Sequence, residues 1–290
     1  MMTFDGAVNL NNFDHYQRVF TDDRRNANGC PIRGTFFVSH EYSNYNMIRQ
    51  LAHDGHEIAT ETISLQQGLQ DKGYEEWVGE MIGMREILRH FANISRSDVV
   101  GMRAPYLKPG RVWEVPLNAH YVETYEGGHC PYLDQCVLHN HDPDEVFEWL
   151  KEDFNRYYLQ NRAPYMMPFH TNWFQIKELE RGLHKFLDWT ETLPDVWFVT
   201  ITQALVWMTD PRPAKNLNTF DPWNCKKREN IPPPPCNLPN SCALSFRPPE
   251  ANVSSTRYLV TCRECPARYP WLGDAGGTGV DGTDVYNPEN

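Results

Sequence analysis

Asp5, in Thr3-Phe4-Asp5-Gly6, and His170, in Pro168-Phe169-His170-Thr171-Asn172-Trp173, are residue types able to take and give a proton in a hydrolytic reaction. Between them in sequence stands Arg103, in Arg103-Ala104-Pro105-Tyr106. Each string also has a plainer reading. Pro105 forces its predecessor out of helical geometry, so the Arg103 string alone reads as a turn at the end of a strand. A lone His170 alone reads as a hydrogen-bonded core histidine.

Taken together and in this order, the three strings resemble motifs of the polysaccharide deacetylase (NodB-homology) family, in particular its insect chitin deacetylase-like branch. The resemblance runs over roughly residues 3 to 210 and implies removal of acetyl groups from N-acetylglucosamine units. That reaction is amide hydrolysis, which needs an activated water, a stabilised oxyanion and a protonated leaving amine. In the family a zinc or similar divalent cation, held by one Asp and two His, activates the water. By resemblance Asp5 is the base, Arg103 its partner and His170 the acid. Tyr106 lends a backbone N–H to the oxyanion and Trp173 walls a sugar subsite.

The cation is where this chain departs. The ligand Asp of the family's T-F-D-D falls on Gly6. The second motif follows Gly55-His56-Glu57-Ile58-Ala59-Thr60, and its two His positions fall on Glu61 and Leu65. One carboxylate is a poor site for zinc, which wants four ligands. We therefore expect no metal at the family site, and a protein that binds chitin or its oligomers with impaired catalysis. Two alternatives stand beside it: a working metal-dependent deacetylase, and a non-catalytic partner of other matrix components.

A further departure concerns the family's Asp-Ser motif, whose Asp orients the acid His. Seven residues separate Pro105 from Trp113, too few for a strand-helix-strand crossover. This reads as an internal deletion near 110–112 and as loss of that motif.

The elements that must position these groups alternate. Segments 33–39, 56–60, 99–102, 166–169 and 196–201 read as buried strands. Tyr74 to Asn93 reads as a helix with Trp77, Met81, Met84, Leu88 and Phe91 on one face. Asp142-Pro143 caps a second helix, and a third runs from Lys177 to Thr192. This alternation predicts an α/β fold with a parallel sheet. By resemblance it is a distorted (β/α) barrel over 1–210, clipped at its first strand and short of at least one strand-helix unit.

Residues 211–290 hold thirteen of the 22 prolines and five of the eight cysteines. They read as a loop-rich, stapled extension, with 273–290 disordered. Eight cysteines and the sequons Asn93-Ile94-Ser95 and Asn252-Val253-Ser254 fit an oxidising, extracellular compartment. Disulfides are favoured over a zinc site at Cys262-Arg263-Glu264-Cys265, with Cys130 bridged to Cys136 and Cys30 stapled to the tail. No signal peptide precedes Thr3, so the chain reads as lacking its secretion signal and any upstream modules. A net charge of −11 argues against nucleic acid and anionic membrane surfaces. No apolar run is long enough to span a bilayer.

Overall fold

The computed structural model describes residues 1–104, 115–122, 128–136, 138–228, 230–248 and 252–279. Tyr106 and the expected deletion point near 110–112 lie outside them. The chain divides into two compact units. The first joins 1–5, 14–35 and 115–229; the second joins 6–13, 36–114 and 230–290.

In the first unit, strand β1 (Met2–Gly6) pairs in parallel with strand β6 (Met167–His170), from Met2 opposite Met167 to Asp5 opposite His170. Helix α1 (Phe13–Val19) follows β1 in sequence. Phe4 stacks on Phe169 with ring centroids 5.5 Å apart, and Tyr16 meets Phe4 edge-on at 5.0 Å. These rings are the apolar floor beneath Asp5 and His170. Helix α4 (Pro143–Tyr158) starts as its sequence predicts: the Asp142 carboxylate accepts from the Asp144 N–H, and Pro143 fills the first turn. Helix α5 (Lys177–Thr190) lies against α4 at Gly182, where any Cβ would overlap Val146.

The segment 196–201, expected as a strand, instead leads into helix α6 (Ile201–Thr209). Thr200 accepts from the Gln203 N–H while the Gln203 side chain accepts from the Thr200 N–H. That reciprocal pair satisfies two helix-end donors and outweighs the strand preference of a β-branched run.

In the second unit, strand β2 (Thr35–Ser39), helix α2 (Tyr45–Asp54) and strand β3 (Glu57–Thr62) form a strand-helix-strand unit whose two strands are neighbours in a sheet. Gly55 ends α2 at φ 104°, a left-handed geometry that favours glycine. Of the strand expected at 99–102, a single parallel bridge remains, Met102 to Thr60. Gly101 and Arg103 exchange backbone bonds with Thr60, and Val100 stands 65% exposed.

Helix α3 (Tyr74–Ile87) follows, continued by a wider turn over Leu88–Ala92. Met84, Leu88 and Phe91 are buried as expected, but Trp77 and Met81 are only partly so. Glu80 and Glu86 take buried places on the helix, the first accepting from the Ile63 and Ser64 amides and the second paired with Arg89 and Arg96. The architecture is α/β with parallel strands, and the described strands do not close into a barrel.

Within this unit the tail is more regular than its prolines suggest. Two further short strands, β4 (His120–Tyr121) and β5 (His129–Cys130), belong to the first unit. The tail adds strands β7 (Asn240–Phe246) and β8 (Ser255–Thr261), an antiparallel ladder of seven paired positions. Cys242, Leu244 and Phe246 face inward while Ser241, Ala243 and Ser245 face out. Residues 273–279, expected disordered, are held by the buried Asp274, whose carboxylate accepts from Thr278 and Gly279. Residues 280–290 lie outside the described set.

All eight cysteines pair: Cys30–Cys225, Cys130–Cys136, Cys236–Cys262 and Cys242–Cys265. Both expected linkages are present, and Cys262 and Cys265 bond to different partners rather than sharing a zinc.

Candidate functional site

Asp5 and His170 are register partners at the C-terminal ends of adjacent parallel strands. Partners in a parallel ladder project to the same side of the sheet, so the pairing of β1 with β6 brings base and acid candidates to one corner. Asp5 is 4% exposed, while the His170 side chain is about one-third exposed. The nearby Tyr16 hydroxyl is pushed well up by burial, with the Asp5 charge adding to it.

One short loop organises both groups. The disulfide Cys130–Cys136 closes seven residues that include Tyr132 and Asp134. The Tyr132 hydroxyl donates to Asp5 Oδ2 at 2.5 Å, and its ring lies 4.0 Å, centroid to centroid, from that of His170. Asp134 accepts from the His170 backbone N–H at 2.8 Å, and its Oδ2 lies 3.0 Å from His170 Nδ1. With Nδ1 held by a carboxylate, proton exchange with anything bound falls to Nε2, and the ring is fixed in orientation.

The orienting Asp expected to be lost is therefore supplied, by Asp134. It was missed because it was sought on a strand after a crossover helix. The available signal was an acidic residue inside a tight Cys-to-Cys loop.

The loop is anchored from below. β4 pairs with β5, which leads into the disulfide. Asp153 on α4 accepts from the β4 backbone at Tyr121, from the fully buried His120 ring at 2.8 Å, from Tyr165 at 2.7 Å and from Arg156 at 2.9 Å. Burial alone would raise the Asp153 carboxyl, but these donors hold it below the usual carboxylate range.

The other predicted residues are placed as follows. Trp173 is 1% exposed and packs in the core against Phe169 and Trp149. A sugar wall needs an open aromatic face, so the subsite expectation for Trp173 is corrected to core packing. Arg103, in the second unit, is 7% exposed, with its guanidinium 4.0 Å over the Phe37 ring.

Gly6, Glu61 and Leu65 also belong to the second unit. Gly6 offers no side-chain atom and Leu65 no ligand atom. The amides of Ile63 and Ser64 donate to the buried Glu80 carboxylate, which pins the turn after β3. Among the described residues no three or more His, Cys, Asp or Glu side chains cluster as a metal centre would need. The side chains at these positions do not fit the family's Asp-His-His set.

No family model matches the chain. Two curated silkworm (Bombyx mori) proteins are similar to it. "Chitin deacetylase 1" is 32% identical, over 96% of this chain and 62% of that protein. "Chitin deacetylase 8" is 27% identical, over 95% of this chain and 84% of the relative. The chain thus spans less than two thirds of the first relative's length. Among solved structures, the Bc1960 peptidoglycan N-acetylglucosamine deacetylase aligns at 17% identity with a TM-score of 0.43, over 69% of this chain and 84% of that one. With the strings around Asp5 and His170 standing in family order, and the two silkworm relatives aligned along 96% and 95% of the chain, the chain is similar to the polysaccharide deacetylases of the NodB-homology family.

Proposed function

We propose that this chain binds polymers of N-acetylglucosamine, chitin among them, and hydrolyses their acetamide groups poorly. The observation that carries this reading is the paired Asp5 and His170, held by Tyr132 and Asp134, in a chain whose family ligand positions are Gly6, Glu61 and Leu65. The retained corner can hydrogen-bond a sugar acetamide: His170 as donor, Asp5 and Tyr132 as a fixed polar pair. Without a cation to activate water, several kcal/mol of transition-state stabilisation are absent, on the order expected for Lewis-acid catalysis.

The same reading takes the protein as secreted, with extracellular matrix as its setting. Four disulfides support it, because such bonds persist in oxidising compartments. Both sequons are then candidates for glycosylation. No helix among the described residues is long and apolar enough to cross a membrane. Other matrix partners, and a purely non-catalytic role among them, follow as the weaker alternative.

A second reading, a working deacetylase, is favoured by the names of the two silkworm relatives. Calorimetric titration with chitin oligosaccharides tests the main one. Binding weakened by His170→Ala and by Tyr132→Phe is the expected result. Oligosaccharides that give no binding to the folded, disulfide-bonded chain would end it.

A further inference from the structure

Asn93 ends the wide helical turn Leu88–Ala92 with a left-handed backbone, φ 57° and ψ 39°, and its N–H donates to the Leu88 carbonyl. Asparagine takes that conformation more readily than most residues that carry a side chain. The same residue opens the sequon Asn93-Ile94-Ser95, whose Ser95 stands exposed. Asn93 is partly exposed, and its Oδ1 accepts from Arg263 Nη2 at 3.3 Å. Its Nδ2, the atom a glycan would take, donates to nothing among the described residues and is not buried.

Arg263 leads from Asn93 into an open cleft of about 670 Å³, lined also by Arg89, His90, Glu264, Pro266 and Gly276. All of these residues belong to the second unit. Arg263 and Glu264 are exposed, and Arg89 and His90 partly so, which leaves the walls within reach of a bound molecule. The bond to Asn93 uses one of the five N–H donors of the Arg263 guanidinium, while the Glu264 carboxylate can only accept. Donors and an acceptor along one cleft suit a neutral sugar, whose hydroxyls do both. The volume lies within the range of about 300 to 1,000 Å³ that small molecules occupy.

We propose, on the reading of the protein as secreted, that Asn93 carries an N-linked glycan whose first N-acetylglucosamine residue lies in this cleft. Its acetamide oxygen accepts from Arg263 and a hydroxyl donates to Glu264. The sugar arrives by group transfer from a lipid-linked oligosaccharide pyrophosphate as the chain enters the secretory compartment. Asn93 Nδ2 forms a bond to C1 of the sugar and gives up one proton, while the bond from C1 to the pyrophosphate oxygen breaks and the lipid pyrophosphate leaves. Folding then sets where the glycan lies, with the Arg263 bond holding the Asn93 carboxamide at the mouth of the cleft.

The full disulfide-bonded chain, secreted behind a leader peptide, tests this by glycopeptide mass spectrometry and thermal unfolding. Expected are a glycan on Asn93 and a Tm lower by about 2–4 °C in Ser95→Ala, which removes that sequon alone. Ser95 also accepts from the Ser97 N–H, so the coupling between two positions decides the point. Arg263→Ala should lower Tm by about 2 °C in the glycosylated chain and by less than half as much in the Ser95→Ala background. Ser254→Ala frees the exposed Asn252, between β7 and β8, of its glycan and should leave Tm unchanged. A bare Asn93 beside an occupied Asn252 would overturn this proposal alone, whereas two bare sequons would remove the secreted reading with it. An equal cost of Arg263→Ala in the two backgrounds, or a Tm loss in Ser254→Ala that matches the loss in Ser95→Ala, would also overturn it.

Discussion

Two regions that serve one reaction in the family have fared differently in this chain. The corner built on β1 and β6 holds the two proton-handling candidates, Asp5 and His170, and each is fixed twice. His170 is held by its backbone N–H and by Nδ1, and Asp5 by its strand and by Tyr132. The segment after β3, with Gly6, has donors of another kind. Its amides serve Glu80, and its backbone takes left-handed values at Gly6 (φ 107°) and Leu65 (φ 50°). An Asp placed at Gly6 would carry strain of about 1–3 kcal/mol before it met any cation. The difference teaches that proton-handling geometry and cation-holding chemistry can separate within one scaffold. The first is secured by packing and a disulfide loop, the second only by side-chain identity at three positions.

The largest expected effect lies under the first region. Trp173→Ala removes a buried indole from the floor beneath His170 and should cost about 3–5 kcal/mol in denaturant unfolding. A loss below about 1 kcal/mol would place Trp173 outside the core and return it to the sugar-facing role.

In the second region, Glu80→Ala leaves the Ile63 and Ser64 N–H groups without their acceptor. We expect a loss of about 2–3 kcal/mol. Unchanged stability would mean that the turn is not pinned and that its amides can turn toward another ligand.

A smaller effect is pH-dependent. The Asp153 carboxyl is held below its ordinary value in the folded chain, so its contribution is fully present above the unfolded carboxylate range. It is lost as pH falls through the lower folded value. Acid unfolding followed with Asp153→Asn should therefore show a shallower loss of stability below about pH 4 than the parent chain. Identical acid profiles would contradict the anchoring of β4.

Much of this was legible in the sequence, and the failures have physical causes. The α4 start was readable because Asp142-Pro143 satisfies helix-end donors locally. The apolar run at 196–201 reads as a buried strand, but Thr200-Ile201-Thr202-Gln203 is itself a readable capping box and starts a helix. The β7–β8 ladder was overlooked behind the prolines, although Cys242, Leu244 and Phe246 alternate with the small residues Ser241, Ala243 and Ser245. Asp5 and His170 were found from residue type and order. Asp134 and Tyr132 were not, because their roles depend on where a disulfide folds a loop, and spacing alone does not encode that.

The central claim is that the proton-handling pair persists while the cation set does not. Acetate release from chitin oligosaccharides by the unaltered full chain, with zinc or cobalt added and again with chelator, tests it most directly. We predict slow release that is the same under both conditions, from a chain that nonetheless binds the oligosaccharides. Metal-dependent release that disappears in Asp5→Asn would contradict the account and put the working deacetylase in its place.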